Sequence, residues 1–333
     1  MRNQYLQFRK MHKSLRVSRF FPFALILLLA ACARSPVLPP ETSRLPERVE
    51  LSDVPFFPQS AYQCGPAALA TMLNQRGATT SPGLLKDQVF IPDREGSLQI
   101  EMVAAARTHD MLVYPLQPRL EAVLAEVAAG NPVLVLQNLA LDWYPMWHFA
   151  VVVGYDRRER TLILRSGTTR RWQTSFNSFD KTWARGGRWA VLTLPADTPP
   201  AQAEVRTWLK AASDLEETGR IDAAQRAYRT AVRQWPDESI AWFALANSRY
   251  ASGDTSGAES ALRESLAHQP DFAAGWFNLS QVLNERGCPA GGEQARVCAQ
   301  RLAPEDKRFA ASSSETLKAT GQCAVLPLCP VVD

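Results

Sequence analysis

The sequence predicts an α+β domain followed by an all-α repeat domain, and two observations support this division. Between residues 51 and 195, apolar patterns of helical spacing come first and short strands joined by polar turns follow, which is typical of an α+β domain with an antiparallel sheet. From residue 205 onward the chain is rich in alanine and has a period of 34 residues. With 333 residues, the chain is long enough for two domains with sizeable cores.

The first 31 residues contain six Lys or Arg and no acidic residue, and they end in an apolar run that begins at Phe20. This run is shorter than the roughly 20 residues that a membrane-spanning helix needs, so residues 1–31 are predicted to be a signal peptide. The ending Leu29-Ala-Ala-Cys32 resembles a bacterial lipobox, which implies that Cys32 is lipidated and anchors the mature protein. With Ala33 next, resemblance to enterobacterial lipoproteins implies the periplasmic side of the outer membrane. An ordinary signal peptide and an uncleaved anchor are the alternatives.

Removal of the signal peptide changes the charge of the chain. The whole sequence has 37 basic and 33 acidic residues, and loss of six basic residues leaves 31 against 33, a net charge of about −2. A basic balance confined to the targeting segment does not indicate nucleic-acid binding. The sequence has no His and Cys cluster with the spacing of metal ligands and no glycine-rich phosphate loop after a strand. We therefore expect no metal and no other cofactor.

Residues 32–50 are rich in Pro, Ser and Arg without an apolar period, and they are predicted to be a tether. In the following domain the first predicted helix comes just after Cys64, with Pro66 at its first position and Gly77 at its end. A thiol ahead of a helix N-terminus lies near the positive end of the helix dipole, which favours the nucleophilic thiolate. Cys64 is therefore a candidate nucleophile, and a small buried cysteine before a core helix is the alternative.

Two more helices and five strands are predicted in this domain. One helix is expected after Ser97, its predicted N-cap, and the other over residues 120–129. The strands are expected at residues 133–137, 148–155, 161–165, 171–176 and 189–194. Residues 196–204 are predicted to be a linker.

Tryptophans and prolines of the second domain recur at the same spacing of 34 residues: Trp208, Trp242 and Trp276, with Pro236, Pro270 and Pro304. This pattern resembles tetratricopeptide repeats, in which each unit is a pair of helices. The resemblance implies three repeats over residues 205–306 and a protein partner bound by them. The third repeat departs from the pattern at Gly287-Cys-Pro-Ala-Gly-Gly292, where a disulfide-stapled cap would explain the difference.

The chain has six cysteines, and lipidation of Cys32 would leave five. In an oxidising periplasm an odd number leaves one thiol unpaired. Four cysteines lie near the end of the repeats and in the tail at residues 307–333: Cys288, Cys298, Cys323 and Cys329. They could form two disulfides in any of three pairings. Cys64 stands apart from them, as a reactive cysteine would.

A cysteine nucleophile needs a base, which is usually histidine. Of the four histidines, His12 lies in the signal peptide, His109 in a turn after a helix and His268 in the repeats. His148 instead opens an apolar strand, at its polar end. We therefore take His148 as the candidate base, with a purely structural histidine as the alternative.

The motif Cys64-Gly-Pro-Ala-Ala-Leu ahead of a helix, with His148-Phe-Ala-Val-Val-Val-Gly-Tyr in a later strand, resembles the bacteriocin-processing, double-glycine leader peptidases. More closely it resembles their papain-like relatives outside transporters, over about residues 51–194. The resemblance implies a papain-like fold, with Cys64 as nucleophile, His148 as base and an upstream Gln as oxyanion donor. Gln59 is five residues before the cysteine, where the family Gln usually lies six before. We prefer it to the adjacent Gln63, and either could be an ordinary loop residue.

The residue that would orient the imidazole departs from the family pattern. A simple hairpin centred near residue 157 would bring Ser166 opposite His148, where the family usually has aspartate. Serine can accept a hydrogen bond from an imidazole N–H but brings no negative charge. Asp180 could fold back instead, although a helix cap or a surface acid is the more common role for such a residue. Asp156 would lie about 25 Å from His148 along the strand.

These patterns predict a lipid-anchored periplasmic cysteine peptidase that acts on a protein or peptide, with repeats that recruit a protein partner or the substrate. An amidase or transpeptidase would use the same thioester chemistry. A non-catalytic scaffold with a degenerate peptidase fold is the third hypothesis, and Ser166 would then mark lost function. The leader-peptide specificity of transporter-linked relatives is not transferred, because this chain has no transporter and would lie on the other side of the membrane.

Overall fold

The computed structural model describes residues 36–59, 63–94, 96–310 and 323–331. The described residues from Leu38 onward belong to one compact unit. The predicted signal peptide and Cys32 lie outside the described part of the chain. Within that part, no helix is long and apolar enough to cross a membrane.

The first domain contains five α-helices: α1 Cys64–Gln75, α2 Pro82–Val89, α3 Gln99–Thr108, α4 Leu120–Ala128 and α5 Phe176–Arg185. Two of them begin with a serine cap, since Ser81 and Ser175 each accept a hydrogen bond from a backbone N–H in the first turn of α2 and α5. Helices α2 and α5 were not predicted. Helix α3 begins one residue later than expected, because Leu98 and not Ser97 is its N-cap.

The sheet has seven antiparallel strands: β1 Arg48–Glu50, β2 Leu112–Pro115, β3 Val133–Asn138, β4 Trp147–Asp156, β5 Thr161–Ser166, β6 Thr169–Ser175 and β7 Ala190–Leu194. Their order is β2-β7-β3-β4-β5-β6, and β1 pairs with the end of β4. The five predicted strands are present with small shifts at their ends, whereas β1 and β2 were not predicted. Alternation along β4 buries Phe149 and Val151 against α1 and α3, and Ala150 and Val152 in the core on the opposite face.

The tether prediction is wrong from Pro40 onward. Residues 40–44 form a 3₁₀ helix, and β1 adds to the sheet beside β4. The carbonyl of Pro46 accepts hydrogen bonds from Tyr155 Oη at 3.1 Å and Arg157 Nε at 3.0 Å. The sequence pattern missed this because backbone pairing, not an apolar period, holds the segment.

The second domain contains six α-helices: α6 Val205–Glu217, α7 Ile221–Gln234, α8 Ser239–Ala251, α9 Thr255–His268, α10 Ala273–Glu285 and α11 Pro289–Leu302. In the second and third pairs, the tryptophan of the first helix is bonded to the proline six residues before it. Trp242 donates to the carbonyl of Pro236 and Trp276 to that of Pro270, each at 2.7 Å. No proline stands at this place before the first repeat, and Trp208 donates to the carbonyl of Ala227 instead.

Two disulfides hold the C-terminal tail on the last repeat. Cys288 pairs with Cys323 and Cys298 with Cys329, with Cα–Cα distances of 5.7 and 5.8 Å. The tail is also bound by Arg263, which donates to the carbonyl of Val325 at 2.7 Å. This selects one of the three pairings that the sequence left open. Among the described residues, Cys64 is the free cysteine.

The segment predicted as a linker is fixed to the first domain by a buried carboxylate. Glu126 on α4 is fully buried and accepts hydrogen bonds from the backbone N–H groups of Ala201 and Gln202 at 3.2 and 3.1 Å. It also accepts from Asn131 Nδ2 at 2.8 Å. The hydrophobic core of the sheet continues into the first repeat, so the two domains share one core.

Candidate active site

Cys64 is the first residue of α1, and its side chain is half-buried. The residue after it must be small, because a Cβ atom on Gly65 would lie 2.2 Å from Ser97 Oγ and 3.2 Å from Met102 Sδ. Ser97, just before α3, and Met102 of α3 therefore pack closely against the start of α1. The close approach explains the glycine of the Cys64-Gly-Pro motif as a packing requirement.

Burial raises the pKa of the Cys64 thiol above its ordinary value. The backbone N–H groups of Phe149, Gly65 and Cys64 itself lower this pKa, but the effect of burial outweighs them. The expectation that the helix N-terminus would favour thiolate is therefore reversed for the resting site. Cys64 packs against the buried cluster that contains Phe149, the residue that follows His148 on β4.

His148 is the second residue of β4 and pairs with Gln137 on β3. Its Nε2 atom lies 2.8 Å from Ser166 Oγ, within hydrogen-bonding distance. Burial lowers the pKa of the imidazole below its usual value, so the neutral ring predominates at pH 7. Because Ser166 occupies Nε2, Nδ1 remains for exchange of a proton with a thiol. Within the described residues no hydrogen bond joins His148 to Cys64, and such bonds are often long before substrate binds.

Ser166 contacts the imidazole, but not through the simple hairpin that the sequence suggested. Strands β4 and β5 pair with Val151 opposite Arg165 and Val152 opposite Leu164, and an irregularity follows before Gly154. The hairpin is therefore centred about one residue later than expected. Ser166, the last residue of β5, therefore lies opposite a residue of β4 that comes after His148. Its hydroxyl approaches the imidazole of His148 diagonally across the two strands. The predicted direct pairing is wrong, whereas the proximity of the two side chains is present.

Asp180 is not available to orient the imidazole. It lies on α5, where its two carboxylate oxygens bind Nη1 and Nη2 of Arg188. The alternative in which Asp180 folds back to His148 is therefore wrong. Asp156, at the far end of β4, accepts a hydrogen bond from the N–H of Glu159 in the turn.

Gln59 lies in the loop that leads to Cys64, and residues 60–62 lie outside the described part. Its backbone N–H donates to the carbonyl of Gly167 at 3.1 Å, which places it beside the β5–β6 turn next to Ser166. Arg165 anchors the chain further upstream by donating to the carbonyl of Val54 at 3.1 Å. Gln63 is the N-cap position of α1 and makes no side-chain cap. The structure thus brings Gln59 to the same end of the sheet as His148.

A groove of about 410 Å³ opens on the α5 face of the sheet, and His148 and Ser166 both line it. Its other walls come from β3, β6 and α5, and include Gln137, Trp172 and Thr182. Gln137 Nε2 donates to Thr182 Oγ1 at 2.6 Å across the groove floor. The sequence reasoning missed these residues, although the pairing of β3 with β4 would have placed Gln137 beside His148.

No group of three or more His, Cys, Asp or Glu residues that could hold a metal ion occurs in the described part of the chain. His109 and His268, which were set aside as candidates for the base, lie at the C-terminal ends of α3 and α9.

The fold is an α+β domain with an antiparallel sheet, joined to helical repeats. Residues 51–191 match the Peptidase_C39 like family, and residues 209–254 and 243–295 match the tetratricopeptide repeat. The chain thus carries a domain of the Peptidase_C39 like family followed by tetratricopeptide repeats. The predicted fold classes and both resemblances are confirmed at this level. No curated relative matches the sequence.

Several solved structures are similar to one or the other domain. A protein of Bacillus anthracis described as a C39-like peptidase is 20% identical, with a TM-score of 0.38, and the match covers 45% of this chain and 98% of that one. The peptidase domain of Streptococcus ComA, a bifunctional ABC transporter, is 19% identical, with a TM-score of 0.35 and coverages of 43% and 98%. The Yersinia enterocolitica translocator chaperone SycD is 17% identical, with a TM-score of 0.29 and coverages of 32% and 78%.

Proposed function

We propose that the protein is a cysteine peptidase of the bacterial cell envelope, with Cys64 as nucleophile and His148 as base. The observation that carries this proposal is that Cys64 and Ser166 both lie at the end of β4 where His148 stands. Cys64 packs against the buried cluster that contains Phe149, and Nε2 of the preceding residue, His148, lies 2.8 Å from Ser166 Oγ. A base that is oriented by a third group beside a thiol is the arrangement that nucleophilic catalysis by cysteine requires.

The proposed reaction starts from a neutral thiol and a neutral imidazole, as the two pKa directions require. His148 takes the thiol proton while Sγ attacks the peptide carbonyl, and Ser166 accepts a hydrogen bond from the ring. The imidazolium then protonates the leaving amine, and water hydrolyses the thioester. The N–H of Cys64 and the side chain of Gln59 stabilise the oxyanion.

The location and the partners belong to the same proposal. The lipobox-like ending at Cys32 supports a lipid anchor at the outer membrane, facing the periplasm. Disulfides persist in an oxidising compartment, so the two bridges of the repeat domain agree with that location. The tetratricopeptide repeats, which generally bind proteins, recruit a protein partner or the substrate.

A non-catalytic scaffold is the second candidate, and two observations favour it. Ser166 supplies no negative charge to stabilise an imidazolium, and burial disfavours ionisation of both Cys64 and His148. In this case the domain would bind a peptide without cleaving it, and the Cys64→Ala change would leave binding intact.

The test is to incubate the full-length protein in detergent with a proteome-derived peptide library and to identify new termini by mass spectrometry. Cleavage by the wild type that is lost in both Cys64→Ala and His148→Ala is expected for the peptidase. Absence of cleavage by the wild type, with Cys64 alkylation by iodoacetamide unaffected by His148→Ala, would reject the peptidase and favour the scaffold. The Asp180→Asn variant is the control, because its carboxylate binds Arg188 and should not change cleavage-site selection.

A further inference from the structure

The groove beside His148 is formed on the face of the sheet opposite to α1. Leu164 and Ser166 of β5, Trp172 of β6 and Thr182 of α5 line it together with His148. Cys64 packs against the buried cluster that contains Phe149, the residue after His148 on β4. Because His148, the proposed base, lines the groove, a peptide bound for reaction beside its imidazole lies next to the groove.

The groove offers hydroxyl and apolar groups but no opposite charge. Apart from His148, whose ring is held neutral by burial, none of the described residues that line it is ionisable. Thr169, Ser178 and Thr182 contribute hydroxyls, and Trp172 contributes an exposed ring.

Several charged side chains on the elements that form the groove are engaged with other partners. Asp180 binds Arg188, and Arg185 donates to the carbonyl of Asn138 at 3.0 Å. On β6, Arg171 binds Glu50 of β1 at 2.8 Å. A charged side chain in the groove would lose water without gaining a counter-charge, which is unfavourable.

The rim of the groove is apolar and exposed. Leu139 belongs to the lining, and the loop that follows it presents Trp143 and Tyr144, with exposed fractions of 80% and 70%. This loop leads directly to His148 at the start of β4. Beyond Leu139 the chain therefore continues from the groove lining into an exposed loop that carries aromatic side chains.

We propose that the groove is a specificity subsite that binds an uncharged side chain of an extended peptide substrate and rejects Lys, Arg, Asp and Glu. This inference rests on the proposed peptidase function. It names the substrate class as peptides with an uncharged residue at one fixed position relative to the scissile bond. In this subsite the hydroxyl groups hydrogen-bond to small polar side chains of the substrate, and the ring of Trp172 packs against apolar ones.

A charge placed in the groove tests the proposal. Thr169 is exposed, lines the groove and begins β6, so Thr169→Glu should introduce a carboxylate without disturbing the core. Gln173→Glu is the matched control, because Gln173 is exposed on the same strand but does not line the groove. Ser178→Glu on α5 is a second variant that approaches from the opposite wall.

The full-length proteins in detergent are profiled with the peptide library, and kcat/KM is then measured on matched peptides with Ala, Lys or Glu at the selected position. The wild type is expected to prefer the uncharged peptide at least tenfold. Thr169→Glu and Ser178→Glu are expected to raise kcat/KM for the Lys peptide about tenfold, whereas Gln173→Glu leaves the preference unchanged.

Two results would overturn the inference in different ways. Equal cleavage of charged and uncharged peptides by the wild type, or unchanged preference in both groove variants, rejects the subsite while peptidase activity stands. No cleavage by the wild type rejects the proposed function, and the subsite is rejected with it.

Discussion

Replacement of Ser166 by aspartate tests how the imidazole is held. Ser166 Oγ lies 2.8 Å from His148 Nε2, and both side chains line a groove of about 410 Å³ that has room for a longer side chain. In the wild type, burial lowers the pKa of His148 and raises that of Cys64, so the resting pair is neutral. A carboxylate at position 166 would favour the imidazolium.

The expected size of the change follows from the charges. An opposite charge within about 4–6 Å shifts a pKa by about one to three units, so the pKa of His148 should rise by at least one unit in Ser166→Asp. A thiol with a pKa of about 8.5 is about 3% ionised at pH 7, and the buried Cys64 should be ionised less than that. An adjacent imidazolium lowers the thiol pKa, and each unit increases the thiolate fraction roughly tenfold.

The assay is the rate of Cys64 alkylation by iodoacetamide between pH 5 and 10, combined with NMR titration of His148. Wild-type labelling should rise with an apparent pKa above about 8.5. Ser166→Asp should label about tenfold faster at pH 7, and Ser166→Asn, which has a similar shape without charge, should not. The gain should vanish when His148→Ala is added. If the Ser166→Asp variant is alkylated at the same rate as the wild type and keeps the wild-type pKa of His148, the assignment of Ser166 as the residue that orients the ring is refuted.

Three further predictions concern stability. Glu126→Ala removes the fully buried acceptor of three hydrogen bonds, so the free energy of unfolding in urea should fall by about 3 kcal/mol or more. The control Glu121→Ala breaks an ion pair with the exposed Arg119 at the N-cap of the same helix and should lower the free energy of unfolding by less than about 1 kcal/mol. Gly65→Ala should lower stability by about 1–3 kcal/mol, because its Cβ atom would meet Ser97 Oγ at 2.2 Å, and Ser97→Gly should recover part of the loss. The lowered pKa of His148 means that the unfolded state binds more protons below about pH 6.5. Stability should therefore fall as pH decreases from about 6.5 toward the folded-state pKa, and His148→Asn should reduce this dependence.

Each of these predictions has a contrary result. Equal losses for the two glutamate variants would mean that the linker does not depend on the buried carboxylate. A Gly65→Ala loss that Ser97→Gly leaves unchanged would place the strain elsewhere. An identical dependence of stability on pH with and without His148 would show that this imidazole is ionised as easily in the folded protein as in the unfolded chain.

The repeat domain could be predicted from sequence because its contacts are local and periodic. The bonds from Trp242 to Pro236 and from Trp276 to Pro270 join residues six positions apart, so their spacing is visible in the sequence itself. The β-strands after residue 133 were predictable for the same reason, since alternation is local. Strand β1 and the β2 edge depend on partners more than 70 residues away, and short segments of this kind carry little pattern of their own.

The sequence by itself determined which residues are candidates for the proposed chemistry: an isolated cysteine at a helix start, a histidine at a strand start and a serine where an aspartate is usual in relatives. Tertiary structure decided their state and surroundings. Burial between packed layers reverses the ionisation that the helix N-terminus favours at Cys64, and a shifted hairpin register brings Ser166 to His148 diagonally. The disulfide pairing and the uncharged groove were likewise set by side chains that only the fold brings together, because no local spacing encodes a contact between distant strands and helices.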